Sequence, residues 1–254
     1  MNINDISTQL LFATVPIHCE TNQGLCVGTG FFYSHKIDNK TQIPFLVTNH
    51  HVIRDAIHGY FEINLADGDQ PSNEVIKVNF DHSFVSNRKL GNLDLAAMPI
   101  APVLNILEQN GKKPFYKTVE NNLIPSDDTV NQLTALEDIT FIGYPSGIFD
   151  DVNKMPLIRH GKTASPIWND YQGNEEFIID ASVFPGSSGS PAFIFNQGSY
   201  STGNGITIGS RLMFVGVVTK TIMRDGKEYL DLGRVIKSSA MNKEIEKLVS
   251  NLLS

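Results

Sequence analysis

Phe184-Pro185-Gly186-Ser187-Ser188-Gly189-Ser190-Pro191 puts a serine between glycines, where a backbone is free to turn its amides toward one point. Alone, the stretch reads equally as a catalytic serine loop or as an ordinary tight turn, because Gly and Ser cluster in turns of many kinds. Two upstream segments favour the catalytic loop. Phe45-Leu46-Val47-Thr48-Asn49-His50-His51-Val52-Ile53 is a hydrophobic strand that runs into a polar step with two histidines. Leu93-Asp94-Leu95-Ala96-Ala97-Met98-Pro99-Ile100 carries a single carboxylate in an apolar, strand-like run. An unpartnered charge there is costly, so Asp94 needs a partner, and an imidazole N–H is the obvious candidate.

The order His51, Asp94, Ser188 is that of the chymotrypsin-type triad. With Gly28-Thr29-Gly30-Phe31-Phe32 and Ile142-Gly143-Tyr144-Pro145, the three segments make five ordered motifs. Their order and intervals resemble the trypsin/chymotrypsin clan of serine peptidases, in particular the HtrA-type and other bacterial trypsin-like enzymes, over residues 8 to 240. The resemblance implies two packed β-barrels, with His and Asp from the first and Ser from the second. A protease domain without an appended peptide-binding domain of the PDZ type is the expectation.

The residues themselves support an all-β reading with two six-stranded antiparallel barrels. Leu11 to Cys19, Cys26 to Tyr33, Phe45 to Thr48, Tyr60 to Leu65, Val75 to Phe80 and Leu95 to Ile100 are β-rich runs bounded by turn residues. A second set covers Asp138 to Ile142, Leu157 to Ala164, Phe177 to Ser182, Ala192 to Phe195, Arg211 to Thr219 and Tyr229 to Leu232. The expected organisation is one peptidase domain over 1–254: a first barrel over 8–100, a connection over 101–128 rich in Pro, Asn, Lys and Asp, a second barrel over 129–236, and a C-terminal α-helix over 237–253. That helix carries Ala240, Met241, Ile245, Leu248, Val249 and Leu252 on one face and reads as a structural lid, with a partner-binding helix as the alternative. A short helical segment is expected over His51 to Ile57, and a polar loop over Gln197 to Gly205, serving recognition or simply mobile.

The chain has 254 residues and a formal charge of −7, which argues against nucleic acid or an anionic membrane as main partner, since those surfaces rest on clustered Lys and Arg. The N-terminus lacks the charged start and apolar core of a secretory signal, and no apolar stretch is long enough to cross a bilayer. A cytoplasmic location is the expectation. Cys19 and Cys26 flank the turn Thr21-Asn22-Gln23-Gly24; a disulfide is possible, but free thiols suit a reducing compartment better. His18, His35, His58, His82 and His160 are scattered singly, so no metal site and no cofactor are expected.

The resemblance assigns roles. Ser188 is the nucleophile, His51 the base that takes its proton and returns it to the leaving amine, and Asp94 the group that orients the imidazole. His50 competes with His51, but the family pattern places the catalytic histidine directly before Val, which selects His51. The oxyanion hole falls at Gly186, Ser187 and Ser188, with the Gly186 and Ser188 amides as donors. Ser187 stands where digestive members carry the Asp that pairs with a cleaved N-terminus, so activation by propeptide removal is not expected. Ser190 replaces the second glycine of the family frame. Ser182, Val183, Val218 and Thr219 are assigned to substrate binding, in a pocket for a small or medium uncharged residue, because the Asp that selects Lys or Arg is absent. Asp180 either polarises that pocket or makes a structural hydrogen bond, and the Thr219 hydroxyl matches one that supports the triad Asp. The implied partner is a polypeptide substrate, with an activating protein partner or a silent binding module as the alternative, and esterase chemistry as a third use of the triad.

Overall fold

Continuous apolar runs such as Phe31-Phe32-Tyr33, Phe45-Leu46-Val47 and Phe193-Ile194 call for strands buried on both faces. The computed structural model, which describes residues 2–202, 205–224 and 227–253, supplies two faces for each of them. Along the first sheet, Phe31, Tyr33, Phe45, Val47 and Ala97 enter one core, while their neighbours Phe32, Leu46, Ala96 and Met98 enter another. In the second half, Ile142, Phe193, Phe214, Val217 and Ile236 share the first of these cores, whereas Phe141, Ile194, Val215, Val218 and Val235 fill a third. The two-residue period of a strand therefore sorts alternate side chains into a private core and a shared one.

The first sheet is built from β1 (Thr14–Thr21), β2 (Gly24–Lys36), β3 (Gln42–Thr48), β4 (Ala56–Asp67), β5 (Gln70–Asp81), β6 (Ala96–Pro99), β7 (Pro114–Phe115) and β8 (Val119–Glu120). The second half contains β9 (Asp138–Gly143), β10 (Leu157–Thr163), β11 (Glu176–Asp180), β12 (Pro191–Asn196), a hairpin of β13 (Ser199–Thr202) and β14 (Gly205–Ile208), then β15 (Arg211–Arg224) and β16 (Lys227–Lys237). Among the described residues six α-helices accompany them: α1 (Ile6–Leu11), α2 (His50–Ile53), α3 (His82–Val85), α4 (Ala101–Gln109), α5 (Asp127–Asn131) and α6 (Ser238–Leu253).

The expectation of two closed six-stranded barrels holds for the second half, which closes as β10-β11-β16-β15-β12-β9. The first half remains an open sheet of order β5-β4-β1-β2-β3-β6, with β7 on β4 and β8 on β2. The physical reason lies in β6, which has four residues and ends at Pro99, a residue with no N–H to extend a ladder. Phe80 of β5, Val85 of α3 and Met98 of β6 pack in the same core, so side chains rather than ladder hydrogen bonds fill that side.

Three further expectations change. The connection contains the helix α4, which starts with Pro in its first turn and buries Leu104 and Leu107. The polar loop over 197–205 is mostly the β13–β14 hairpin, with Ser199 paired to Ile208 and Tyr200 to Thr207; residues 203 and 204 lie outside the described residues. The segment after His51 is shorter than expected, α2 ending at Ile53 and β4 beginning at Ala56. The C-terminal helix buries Ala240, Met241, Ile245 and Val249, and Asn242 accepts a 2.8 Å hydrogen bond from the Tyr33 hydroxyl. Leu252 is half exposed. Cys19 and Cys26 stand opposite each other in the β1–β2 register as free thiols.

Phe214 is fully buried at the centre of the shared core, 5.5 Å from Phe31 and 5.7 Å from Phe193 between ring centroids. Phe214→Ala is expected to lower the unfolding free energy by about 3–5 kcal/mol. Leu252→Ala, at the exposed end of α6, should change it by no more than about 0.5 kcal/mol. Urea unfolding of the two variants checks the contrast.

Candidate active site

The pairing of β3 with β6 sets Thr48 opposite Ala96, so the chain leaving β3 and the chain entering β6 lie side by side. His51 sits in α2, immediately after β3, and Asp94 immediately before β6. The backbone fastens this junction: the His50 amide donates to the Asp94 carbonyl at 3.2 Å, and Asn49 Nδ2 reaches the same oxygen at 2.8 Å. The side chains meet as the sequence predicts, with His51 Nδ1 2.7 Å from Asp94 Oδ2. The other carboxylate oxygen, Oδ1, accepts the His51 amide at 3.0 Å. His51 rather than His50 takes the carboxylate.

A third donor to the carboxylate comes from the other half of the molecule. Thr219, fully buried on β15, donates its hydroxyl to Asp94 Oδ2 at 3.1 Å. Burial by itself would push the Asp94 carboxyl up, but the hydrogen bond and charge of His51, its amide and the Thr219 hydroxyl outweigh it, leaving the carboxyl below its ordinary value. His50, by contrast, is held below its ordinary value by burial and then by the charge of Lys89. An Asp94 that stays ionised fixes a proton on His51 Nδ1, which leaves Nε2 as the acceptor.

Ser188 lies in the loop from β11 to β12, tied to both halves. Its carbonyl accepts the Thr29 amide from β2 at 2.8 Å, and the following Gly189 amide donates to the Val218 carbonyl at 2.9 Å. The Ser188 hydroxyl donates to the Thr219 carbonyl at 2.7 Å; among the described residues, no hydrogen bond joins it to His51.

The amides of Gly186 and Ser188 have no partner within the chain among the described residues. The Ser187 amide, placed in the same group by the sequence, is instead spent on the Phe184 carbonyl at 2.9 Å, because the turn closes on itself there. Gly186 has φ +90, and an added Cβ would meet the Tyr144 carbonyl at 2.4 Å, so no other residue fits. Two unpaired amides so close to a serine in the chain are the kind of donors that can meet an oxygen gaining negative charge.

The residues assigned to the substrate pocket divide. Ser182 is half-buried and its carbonyl accepts Arg159 Nη1 at 2.8 Å. Val183 and Val218 send their side chains into the interior of the second barrel, not to an open wall, and Asp180 is exposed. Thr219 faces Asp94. No motif pointed to Arg159, whose guanidinium lies 5.1 Å from the exposed Phe184 ring and 5.5 Å from that of Phe141, next to the loop that carries Ser188. Its position on β10, opposite Phe141 of β9, is the signal that a strand register would have supplied. Among the described residues, no group of three or more His, Cys, Asp or Glu is arranged to hold a metal ion.

The depressed Asp94 carboxyl has a stability consequence of definite sign. A carboxyl whose folded value lies below its unfolded one contributes stability that is present above the unfolded value, about 3.9, and lost as pH falls through the folded value. The stability advantage of wild type over Asp94→Asn should therefore be full at pH 5 and shrink as pH falls below about 4. Urea unfolding of both proteins between these limits measures it.

A family model described as a trypsin-like peptidase domain matches residues 28–199, a span holding His51, Asp94 and Ser188. No curated protein sequence matches the chain. Among solved structures, the serine endoprotease from Yersinia pestis is similar with a TM-score of 0.54 at 19% identity, over 98% of this chain and 67% of that one. The HtrA-type protease AlgW with tripeptide is similar with a TM-score of 0.52 at 16% identity, over 96% of this chain, which spans 62% of the AlgW chain. A scabies mite inactivated protease paralogue is similar over 96% of both chains, with a TM-score of 0.56 at 12% identity. At these identities the likeness is one of fold. With the family match covering most of its length, the chain belongs to the trypsin-like peptidase domain family.

Proposed function

We propose that this protein is a serine endopeptidase, a single chymotrypsin-like unit acting in the cytoplasm on polypeptides through His51, Asp94 and Ser188. The observation that carries this reading is the 2.7 Å His51–Asp94 bond beside Thr219, which accepts the Ser188 hydroxyl on its carbonyl and donates its own hydroxyl to Asp94; the Gly186 and Ser188 amides, unpaired among the described residues, support it. The chemistry follows from these groups. As Ser188 Oγ bonds to the scissile carbonyl carbon, its proton passes to His51 Nε2 and the carbonyl π electrons move onto oxygen, where the Gly186 and Ser188 amides meet them. Collapse breaks the C–N bond, and His51 gives the proton to the leaving amine. Water repeats the sequence on the acyl-serine, returning the proton to Ser188.

The side chain before the cleaved bond is proposed to be small or medium and uncharged. Ser182 brings no charge to the base of the expected pocket, and the Arg159 guanidinium beside it is engaged with the Ser182 carbonyl. Peptide substrates agree with a neighbour whose structure carries a tripeptide.

A second reading, a partner-regulated or silent binding module on the same fold, is favoured by one observation: the Ser188 hydroxyl is directed to the Thr219 carbonyl. An inactivated paralogue among the structural neighbours fits it as well. Fluorophosphonate labelling separates the two. An adduct on Ser188 of the isolated protein, absent from Ser188→Ala, is expected; no labelling under any condition would favour the binding module. With a cleavable peptide, Ser188→Ala and His51→Ala should each lower kcat by about four to six orders of magnitude.

A further inference from the structure

The nucleophile loop has a brace in the opposite half of the molecule. Thr29, on β2, is fully buried, and its hydroxyl is used in both directions: it donates to the Gly186 carbonyl at 2.8 Å and accepts the Tyr144 amide at 3.1 Å. Its own amide donates to the Ser188 carbonyl at 2.8 Å, and its carbonyl accepts the Thr48 hydroxyl at 2.7 Å. The approach is close enough to require glycine at 143, where an added Cβ would stand 2.6 Å from Thr29 Oγ1.

These bonds act on the peptide planes that aim the two free amides. The orientation of the Gly186 N–H is that of the Pro185–Gly186 plane, and in a trans peptide the N–H points opposite to the C=O. The Pro185 carbonyl is held by the Ser146 amide at 2.5 Å. The plane on the other side of Gly186 Cα is held by the Thr29 hydroxyl. At Ser188 the preceding plane is fixed by Ser190 N–H on the Ser187 carbonyl at 3.0 Å, and the following one by the Thr29 amide. Thr29 also reaches the Ser146 brace, because the Tyr144 amide that it accepts begins the 144–147 turn, closed by Gly147 N–H on the Tyr144 carbonyl at 3.0 Å. A glycine at φ +90 has little intrinsic preference for that state, so the surrounding bonds must select it.

We propose that the Thr29 hydroxyl is the positioning group of the oxyanion hole, joining the Gly186 carbonyl to the 144–147 turn so that the Gly186 N–H faces the reacting carbonyl. The role rests on the peptidase reading for its catalytic meaning, but the brace itself is a property of the loop. Removing the hydroxyl leaves a buried N–H and a buried C=O unpaired and frees the Pro185–Gly186 plane to turn its carbonyl into the hole.

The test compares wild type, Thr29→Val, which keeps the shape and loses the hydroxyl, and Thr29→Ser, which keeps the hydroxyl. Two quantities are read: the second-order rate of fluorophosphonate labelling at Ser188, and amide hydrogen exchange of Tyr144 and residues 186–189. Thr29→Val should label about tenfold to a hundredfold more slowly, below the hundredfold to thousandfold loss typical of deleting an oxyanion donor outright, with faster exchange at those amides. Thr29→Ser should restore both to within about threefold of wild type, a rescue that loss of packing alone would not give. Wild-type rate and exchange in Thr29→Val, slowed labelling with unchanged exchange, or equal losses in Val and Ser would each overturn the proposal. If wild type itself does not label, the peptidase reading fails, and the brace is judged on exchange alone by the same comparison. Should Thr29→Val not fold, Thr29→Ala is read in its place.

Discussion

A carboxylate kept charged in a half-buried cleft is the constraint on which the site depends. Asp94 receives the His51 ring at 2.7 Å and the His51 amide at 3.0 Å from its own sheet, and the Thr219 hydroxyl at 3.1 Å from the opposite barrel. Without those donors burial would favour the neutral acid, and a neutral acid would not hold the imidazole in one tautomer. Because one donor belongs to β15, the two halves must dock in a single arrangement for the carboxylate to be satisfied. The shared core around Phe31, Tyr33, Phe193 and Phe214 supplies the burial that fixes that docking, so apolar packing and the polar site depend on the same interface.

The loop that carries Ser188 follows the same logic with backbone groups. Ser188 and Gly189 are tied to Thr29 on one side and to Val218 on the other, and the 144–147 turn holds Pro185. Ser187, where the resemblance to the clan would place an Asp paired with a cleaved N-terminus in its digestive members, is buried, with its hydroxyl unpartnered among the described residues. The ties from Thr29 and Ser146, with Arg159 on the Ser182 carbonyl, hold the segment from 182 to 189 by contacts that require no cleaved terminus.

Much of this was legible in the residues. The twelve expected strands lie on the ladders found, because Gly, Pro and Asn mark their ends and their apolar runs are long. His51, Asp94 and Ser188 were legible from a charged or polar residue in an apolar setting and from their order. The failures share a cause. Where both faces of a strand are buried, alternation no longer tells which residue lines a cleft, so Val183 and Val218 were assigned to a pocket and lie in the barrel interior. Closure of the first sheet turned on the shortness of β6, which no periodicity reveals. The β13–β14 hairpin was hidden by its Ser, Thr and Gly content. Thr29 stood within a quoted motif, but its partners Tyr144 and Gly186 are 115 and 157 positions away, a contact that only the docked halves create.

The central claim is that Ser188 and the amides of Gly186 and Ser188 converge on one reacting centre. Its most direct measurement is a crystal structure of the protein after reaction with a peptidyl phosphonate. The expected result is a bond from Ser188 Oγ to phosphorus, with the phosphonyl oxygen about 2.7–3.1 Å from both the Gly186 and Ser188 nitrogens. An adduct whose oxygen points away from these amides, or a Pro185 carbonyl turned into their place, would contradict it.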